Sequence, residues 1–180
     1  MMPQQHLDIA REVFSRYVPE WTASGKCSRK QVAAFAVVPT DPEPHPLAGL
    51  AAFLHEPTIL YGVNGPALDL ASLCTGVKGS CGCVHAEVRL VRSLLGHVGR
   101  NGQVRGASIF TSYAPCLPCA QLISSTGSFR AWGYVHEADH HREAMSWLDR
   151  CSDIAMVHLN DESETCWLCG EPVAECGCPT

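Results

Sequence analysis

Two short stretches decide the reading of this chain: His85-Ala86-Glu87 and Pro115-Cys116-Leu117-Pro118-Cys119. Each stands at the predicted start of a helix, and 29 positions separate Glu87 from Cys116. Two cysteines three apart at a helix start can reach one ion, and one imidazole adds a third ligand. Three protein ligands leave a fourth tetrahedral position for water, which distinguishes a catalytic zinc from a structural one. Helix N-termini favour negative charge and so help keep both thiols as thiolates. Glu87 lies two residues from the ligand His85, beside the ion without having to bind it. Zinc lowers the pKa of bound water to about 7. A neighbouring carboxylate can take that proton and pass it to a leaving amine. A lone C-x-x-C is often a structural knuckle and a lone H-x-E carries little information. Their joint occurrence in this order, with Pro115 ahead of the first cysteine and helix patterns after both, is far more specific than either alone.

The flanking sequence supplies a scaffold. Leu7, Ala10, Phe14 and Tyr17 recur at helical steps and predict an amphipathic opening helix. Val32–Val38 and Thr58–Gly62 predict two strands, the second ended by Asn64-Gly65-Pro66, while Leu47–Glu56 fits helix or strand equally. Pro39, Pro42, Pro44 and Pro46 forbid regular structure between them, and residues 67–83 form a Gly/Cys-rich loop. Val84–Val98 has helical spacing through Val88, Val91, Leu94, Leu95 and Val98. Strands at Ala107–Thr111, Phe129–Val135 and Ile154–Leu159 then alternate with helices at Cys116–Ser125 and His141–Cys151. That alternation implies an α/β fold with a sheet covered by helices on both faces.

Length and composition agree. The 180 residues suffice for one domain plus a small appendage, and 46% apolar against 17% charged residues allows a true core. All 13 basic residues precede position 160, balanced by 13 acidic ones; Asp161, Glu162, Glu164, Glu171 and Glu175 carry the whole net charge of −5. A neutral body and acidic tail offer no basic field for long nucleic acid, whereas a small substrate with one or a few phosphates remains compatible. No apolar run approaches the ~20 residues that span a bilayer. The first residues lack a secretory pattern, which gives the expectation of a cytoplasmic protein.

Eleven cysteines at uneven spacing argue for metal binding over a disulfide framework. Cys166, Cys169, Cys176 and Cys178 form C-x2-C-x6-C-x-C, able to close a tetrahedral four-thiolate zinc site and fold an otherwise coreless tail. The expected organisation is a deaminase domain over 1–159 and a zinc knuckle over 160–180. Cys81 and Cys83 could join the tail's ion and pin the tail beside the active site. Cys27, Cys74 and Cys151 read as small buried hydrophobes.

At these residues the chain resembles the cytidine deaminase superfamily, and within it the deoxycytidylate (dCMP) deaminase branch. Lys26-Cys27-Ser28-Arg29-Lys30-Gln31-Val32-Ala33-Ala34 resembles that branch's K-C-S-R-x-x-V-G-A lead-in to the first strand. Tyr61-Gly62-Val63-Asn64-Gly65-Pro66 resembles its G-Y-N-G-x-P turn, with Val63 replacing the tyrosine. Ala120–Ile123, Gly127 and Arg130 resemble the helix and strand that come after P-C-x-x-C in the branch. Ala114 stands where the branch usually has Ser. The resemblance implies a three-layer α/β/α sandwich on a five-stranded mixed sheet. It implies hydrolysis of a cytosine-type amino group to uracil plus ammonia, with free dCMP or a modified dCMP as the favoured substrate. Zinc would be held by His85, Cys116 and Cys119, with Glu87 as proton shuttle and Asn64 on the sugar. A homo-oligomer is implied as well.

For the phosphate, a guanidinium fork suits a monoester. Arg29 is the favoured residue and Arg89, one turn past His85, its rival. Ala86 lies between the ligand and the acid, and Tyr113 could stack on the base. The competing functions are deamination of another base or nucleoside (guanine, a cytidine analogue, tRNA adenosine) and a non-catalytic zinc-binding interaction module.

Overall fold

The computed structural model describes residues 2–28, 30–39, 57–66, 74–77, 81–101, 104–138, 141–160 and 172. Leu47–Glu56, Arg29 and the four tail cysteines lie outside them. Two helices, α1 (Gln4–Arg16) and α2 (Val18–Ser24), lead into β1 (Ala33–Val38) and β2 (Thr58–Val63). Two-residue strands β3 (Gly65–Pro66) and β4 (Cys83–Val84) precede α3 (Ala86–Asn101). Then come β5 (Ala107–Tyr113), α4 (Leu117–Ser125), β6 (Phe129–His136), α5 (His141–Cys151) and β7 (Ala155–His158).

The main sheet runs β2-β1-β5-β6-β7. β1 is antiparallel to both β2 and β5, whereas β5, β6 and β7 are mutually parallel neighbours, so the sheet is mixed. Every residue of β1 is buried. Its side chains alternate between two cores, because successive residues of a strand face opposite sides. Ala34, Ala36 and Val38 join Leu90, Leu94, Ile109, Ile123, Trp132 and Leu148 under α3, α4 and α5. Ala33, Phe35 and Val37 join Val13, Phe14, Val18 and Phe110 under α1 and α2. A strand buried on both faces reads as a continuous apolar run, which is what Ala33–Val38 is. The result is the three-layer α/β/α sandwich expected.

Three local expectations change. The opening helix breaks at Tyr17, and α2 continues with a proline in its first turn, where a missing N–H costs nothing. Tyr17 leaves the core and stacks on Trp21, which stacks in turn on Tyr61 at 4.4 Å. Gly65-Pro66 is not merely a chain-ending turn: it pairs with Val84 and Cys83. Leu95, placed by spacing in the buried stripe of α3, is 62% exposed.

One glycine sets how α3 sits. A Cβ on Gly62 would fall 2.6 Å from Leu90 N and 2.9 Å from Arg89 Cβ. Only a residue without a side chain lets β2 approach the first turns of α3 this closely.

Candidate active site and metal centre

His85 directly precedes α3 and Cys116 caps α4, so two helix starts converge at the edge of the parallel strands. His85 Nδ1 lies 3.5 Å from Cys116 Sγ and 3.4 Å from Cys119 Sγ. Bond lengths near 2.05 Å to nitrogen and 2.3 Å to sulfur put the N···S edge of a tetrahedron at about 3.6 Å. The three side chains therefore fit one zinc ion as they stand. His85 is exposed and lines the adjoining cavity, whereas Cys119 is buried.

The three groups shift one another's protonation. The Cys119 thiol donates toward Cys116 and holds its pKa down to about 4, with His85 assisting. Cys116 in turn pushes His85 up to about 9. Cys119 is driven upward by the Cys116 beside it and by burial. Protons are therefore shared among the three groups, and a divalent cation held there would have to displace them.

Glu87, in the first turn of α3, is only 5% exposed. Burial raises its pKa, partly offset by a backbone hydrogen bond and the nearby His85, and its carboxyl meets Cys119. A carboxyl lifted in this way can hold a proton nearer neutral pH.

A cavity of about 250 Å³ opens over these groups, and His85, Ala86, Glu87, Pro115 and Cys116 line it. Asn64 and Tyr113 line it as well, so every described residue of the expected substrate set except Arg89 is brought together. The Asn64 amide accepts from Val32 N at 2.8 Å and donates to Lys30 O at 2.6 Å, clamping the lead-in of β1 to the end of β2. One amide hydrogen is left for a ligand. Tyr113 carries the Lys30 ammonium 3.4 Å above its ring centroid, so one ring face is already covered.

Arg89 is not among the residues that line the cavity. Its Nη2 donates to Pro66 O at 2.6 Å, bracing α3 against β3. Lys30, passed over in favour of Arg29, is the cation that lines the cavity among the described residues. A lysine adjacent to Arg29 was visible in the sequence; its place on the cavity wall was not. The expectation for isolated buried cysteines also changes. Cys27 is buried, but it lies in a cluster with Cys81 and Cys83; Cys74 is half-buried, and Cys151 is exposed.

A sandwich with an ion-ready triad and a buried acid at one cavity defines a zinc-dependent hydrolase. The family model described as "Cytidine and deoxycytidylate deaminase zinc-binding region" matches residues 10–134, and the chain belongs to that family of deaminases. The fold matches the crystal structure of dCMP deaminase from the cyanophage S-TIM5 in complex with dCMP and dUMP. The TM-score there is 0.56 at 16% identity, over 87% of this chain and 99% of that one. The apo form of the phage enzyme gives 0.47 at 17% identity, over 87% and 100%. A structure from a study of A-to-I editing by tRNA:A34 deaminases at the wobble position gives 0.39 at 16% identity, over 69% and 82%. No curated protein matches the chain. No helix among the described residues is long and apolar enough to cross a membrane.

Proposed function

We propose that the chain deaminates a free cytosine nucleotide, dCMP or a modified dCMP, to the uracil nucleotide plus ammonia. The observation that carries this reading is one cavity lined by His85, Cys116, the buried acid Glu87 and Lys30, with Cys119 closing a metal-ready triad behind its wall. Zinc held by His85, Cys116 and Cys119 would supply Lewis acidity and a water made acidic enough to attack near neutral pH. Glu87 accepts the proton from the attacking water at a carboxyl oxygen and returns it to the departing amino nitrogen. One water adds at the ring carbon, the carbon–nitrogen bond breaks, and ammonia leaves. Burial of Glu87 serves both halves of that transfer, since its carboxyl must first take and then yield a proton.

Asn64 offers its remaining amide hydrogen to the sugar. Lys30 supplies a point charge for the phosphate, with Arg29 beside it in sequence; Arg89, engaged with Pro66, braces the wall instead. A body with 13 basic and 13 acidic residues supports a small substrate over tRNA. The acidic segment 160–180 forms a separate zinc knuckle on Cys166, Cys169, Cys176 and Cys178, and the deaminase unit, 1–159, assembles as a homo-oligomer.

The test is ammonia release by zinc-loaded protein across dCMP, 5-substituted dCMP, CMP, deoxycytidine, guanine and tRNA adenosine. A preference for a cytosine monophosphate is expected. Lys30→Ala or Arg29→Ala should raise KM for dCMP and leave deoxycytidine kinetics unaltered. Equal turnover of deoxycytidine and dCMP, or activity on tRNA or guanine alone, overturns the reading.

A further inference from the structure

Two groups hold the Tyr113 ring at the cavity wall. The ring carries the Lys30 ammonium 3.4 Å from its centroid. The imidazole of His136 packs against the same ring at 5.4 Å, tilted by 39°. Register explains that second meeting, because β5 and β6 are parallel and Tyr113 and His136 are partners on the last rung between them. Just beyond that rung, Ala114 N donates to His136 O at 2.7 Å. Lys30 and Tyr113 line the cavity and His136 does not. At 8% exposure it stands behind the wall.

The Nε2 of His136 has no hydrogen-bond partner among the described residues. A buried polar atom left unpaired lowers stability, so this imidazole is kept at a cost. A charged role does not account for it. Burial first, then the Lys30 ammonium and His158, hold its pKa below the ordinary imidazole value, so the ring is neutral at neutral pH. His158 is itself engaged: it stacks on Tyr134 at 4.8 Å, and its Nε2 donates to Val135 O at 2.9 Å. What His136 offers Tyr113 is a flat, uncharged ring. That ring fixes the orientation of the phenol, and the face of the phenol fixes the ammonium. Lysine has a long flexible stem, so its charge keeps one place on a wall only where something holds it.

We propose that His136 is a positioning residue for substrate selection: through Tyr113 it holds the Lys30 ammonium where the phosphate of a bound nucleotide meets it. The inference rests on the reading of the chain as a nucleotide deaminase and deepens it, adding a residue that does not touch the substrate to those that select it. The contacts run ring on ring, then cation on ring, and take no part in breaking the carbon–nitrogen bond. The bond from Ala114 N to His136 O is a main-chain one, so a change of side chain at 136 leaves the path from Tyr113 to Cys116 tied to β6.

The experiment compares His136→Ala and His136→Phe with wild type in the full-length, zinc-loaded protein, by ammonia release from dCMP and from deoxycytidine and by thermal melting. His136→Ala should raise KM for dCMP about tenfold at unchanged kcat, and leave KM for deoxycytidine within about twofold of wild type. His136→Phe keeps a flat ring and discards the unpaired nitrogen, so it should return the dCMP KM to the wild-type value and melt no lower than wild type. Should His136→Ala fail to fold, His136→Leu, which fills the space without a flat face, takes its place with the same expected result. Losses shared equally by dCMP and deoxycytidine would show a merely structural residue and overturn the proposal. A dCMP KM that stays high in His136→Phe also overturns it, by assigning the effect to the nitrogen. A wild type indifferent to the phosphate overturns the nucleotide reading and this inference together, whereas a preference for dCMP that survives in His136→Ala overturns this inference alone.

Discussion

Substituting Gly62 by alanine perturbs the candidate active site from a distance, and its size follows from the packing. The new Cβ would sit 2.6 Å from Leu90 N and 2.9 Å from Arg89 Cβ, and would also strike Ala86 O. Non-bonded heavy atoms prefer about 3.5–4.0 Å, so β2 and α3 must part by about 1 Å. Neither element is free to do so. Ser93 Oγ donates to Tyr61 O at 3.2 Å and Arg89 braces Pro66. Overpacking of this kind costs about 1–3 kcal/mol, a fall in Tm of roughly 2–12 °C at this chain length. Ala86 and Leu90 bracket Glu87, so the displaced turn carries the acid with it. A misplacement near 1 Å costs on the order of 100-fold in rate. The assay is a thermal melt paired with ammonia release on the preferred substrate. Gly96→Ala is the control: nothing lies within 4 Å of its new Cβ, and it sits within α3, so it should stabilise by about 0.5–1 kcal/mol. A Gly62→Ala protein that melts with wild type and turns over normally would refute the claim that this contact positions the helix.

Glu87→Gln should keep the full zinc content and lower kcat by about 10²–10⁴; undiminished turnover would remove the carboxyl from proton transfer. Asn64→Ala abandons Val32 N and Lys30 O and should cost about 1–3 kcal/mol in urea unfolding, with a larger KM for nucleotides; a change below measurement error would show the clamp is idle. His6 gives a pH signature. Burial holds its pKa below the ordinary imidazole value, and it pairs with Ser108 at 2.7 Å. The unfolded chain protonates this histidine below about pH 6.5 and the fold resists, so its contribution is fully present above that pH and lost as pH falls toward the folded value. His6→Gln should therefore flatten the acid-side fall in stability relative to wild type, by at most about 1.4 kcal/mol per pH unit; parallel curves from pH 7 to 5 would exclude it.

What the sequence disclosed about the site is what lies close along the chain. His85 and Glu87, and Cys116 and Cys119, are spaced by two or three residues, so helix geometry alone places each pair. Their meeting needed only the parallel sheet that the strand–helix alternation implies. The Cys27–Cys81–Cys83 cluster was hidden because Cys27 is separated from the other two by β1, β2 and β3. Its local residues read as hydrophobes until the fold closes over them. What Arg89 meets was hidden for a related reason. Four residues past His85 it shares a helix face with the ligand, yet a carbonyl from β3 captures the guanidinium first. Only the non-local pairing of Pro66 with Cys83 puts that carbonyl there.

That small ladder explains more of the site than its two-residue strands suggest. Asn64, the clamp, directly precedes Gly65; His85, the ligand, directly follows Val84; and Gly65 pairs with Val84. The residue expected to touch the sugar and the residue expected to hold the ion are therefore each one peptide away from the same antiparallel pair. Isolated two-stranded ladders are marginal in water, so this one needs support, and three contacts converge on it. Arg89 braces Pro66 from α3, Asn64 ties the strand end to Lys30 and Val32, and Cys83, the partner of Pro66, packs with Cys27 and Cys81. Loosening any one of the three should let the sugar contact and the metal ligand drift relative to each other, which loses rate before it loses fold. The clustered cysteines and the metal-ready triad are in this sense joined through the four paired residues Gly65, Pro66, Cys83 and Val84.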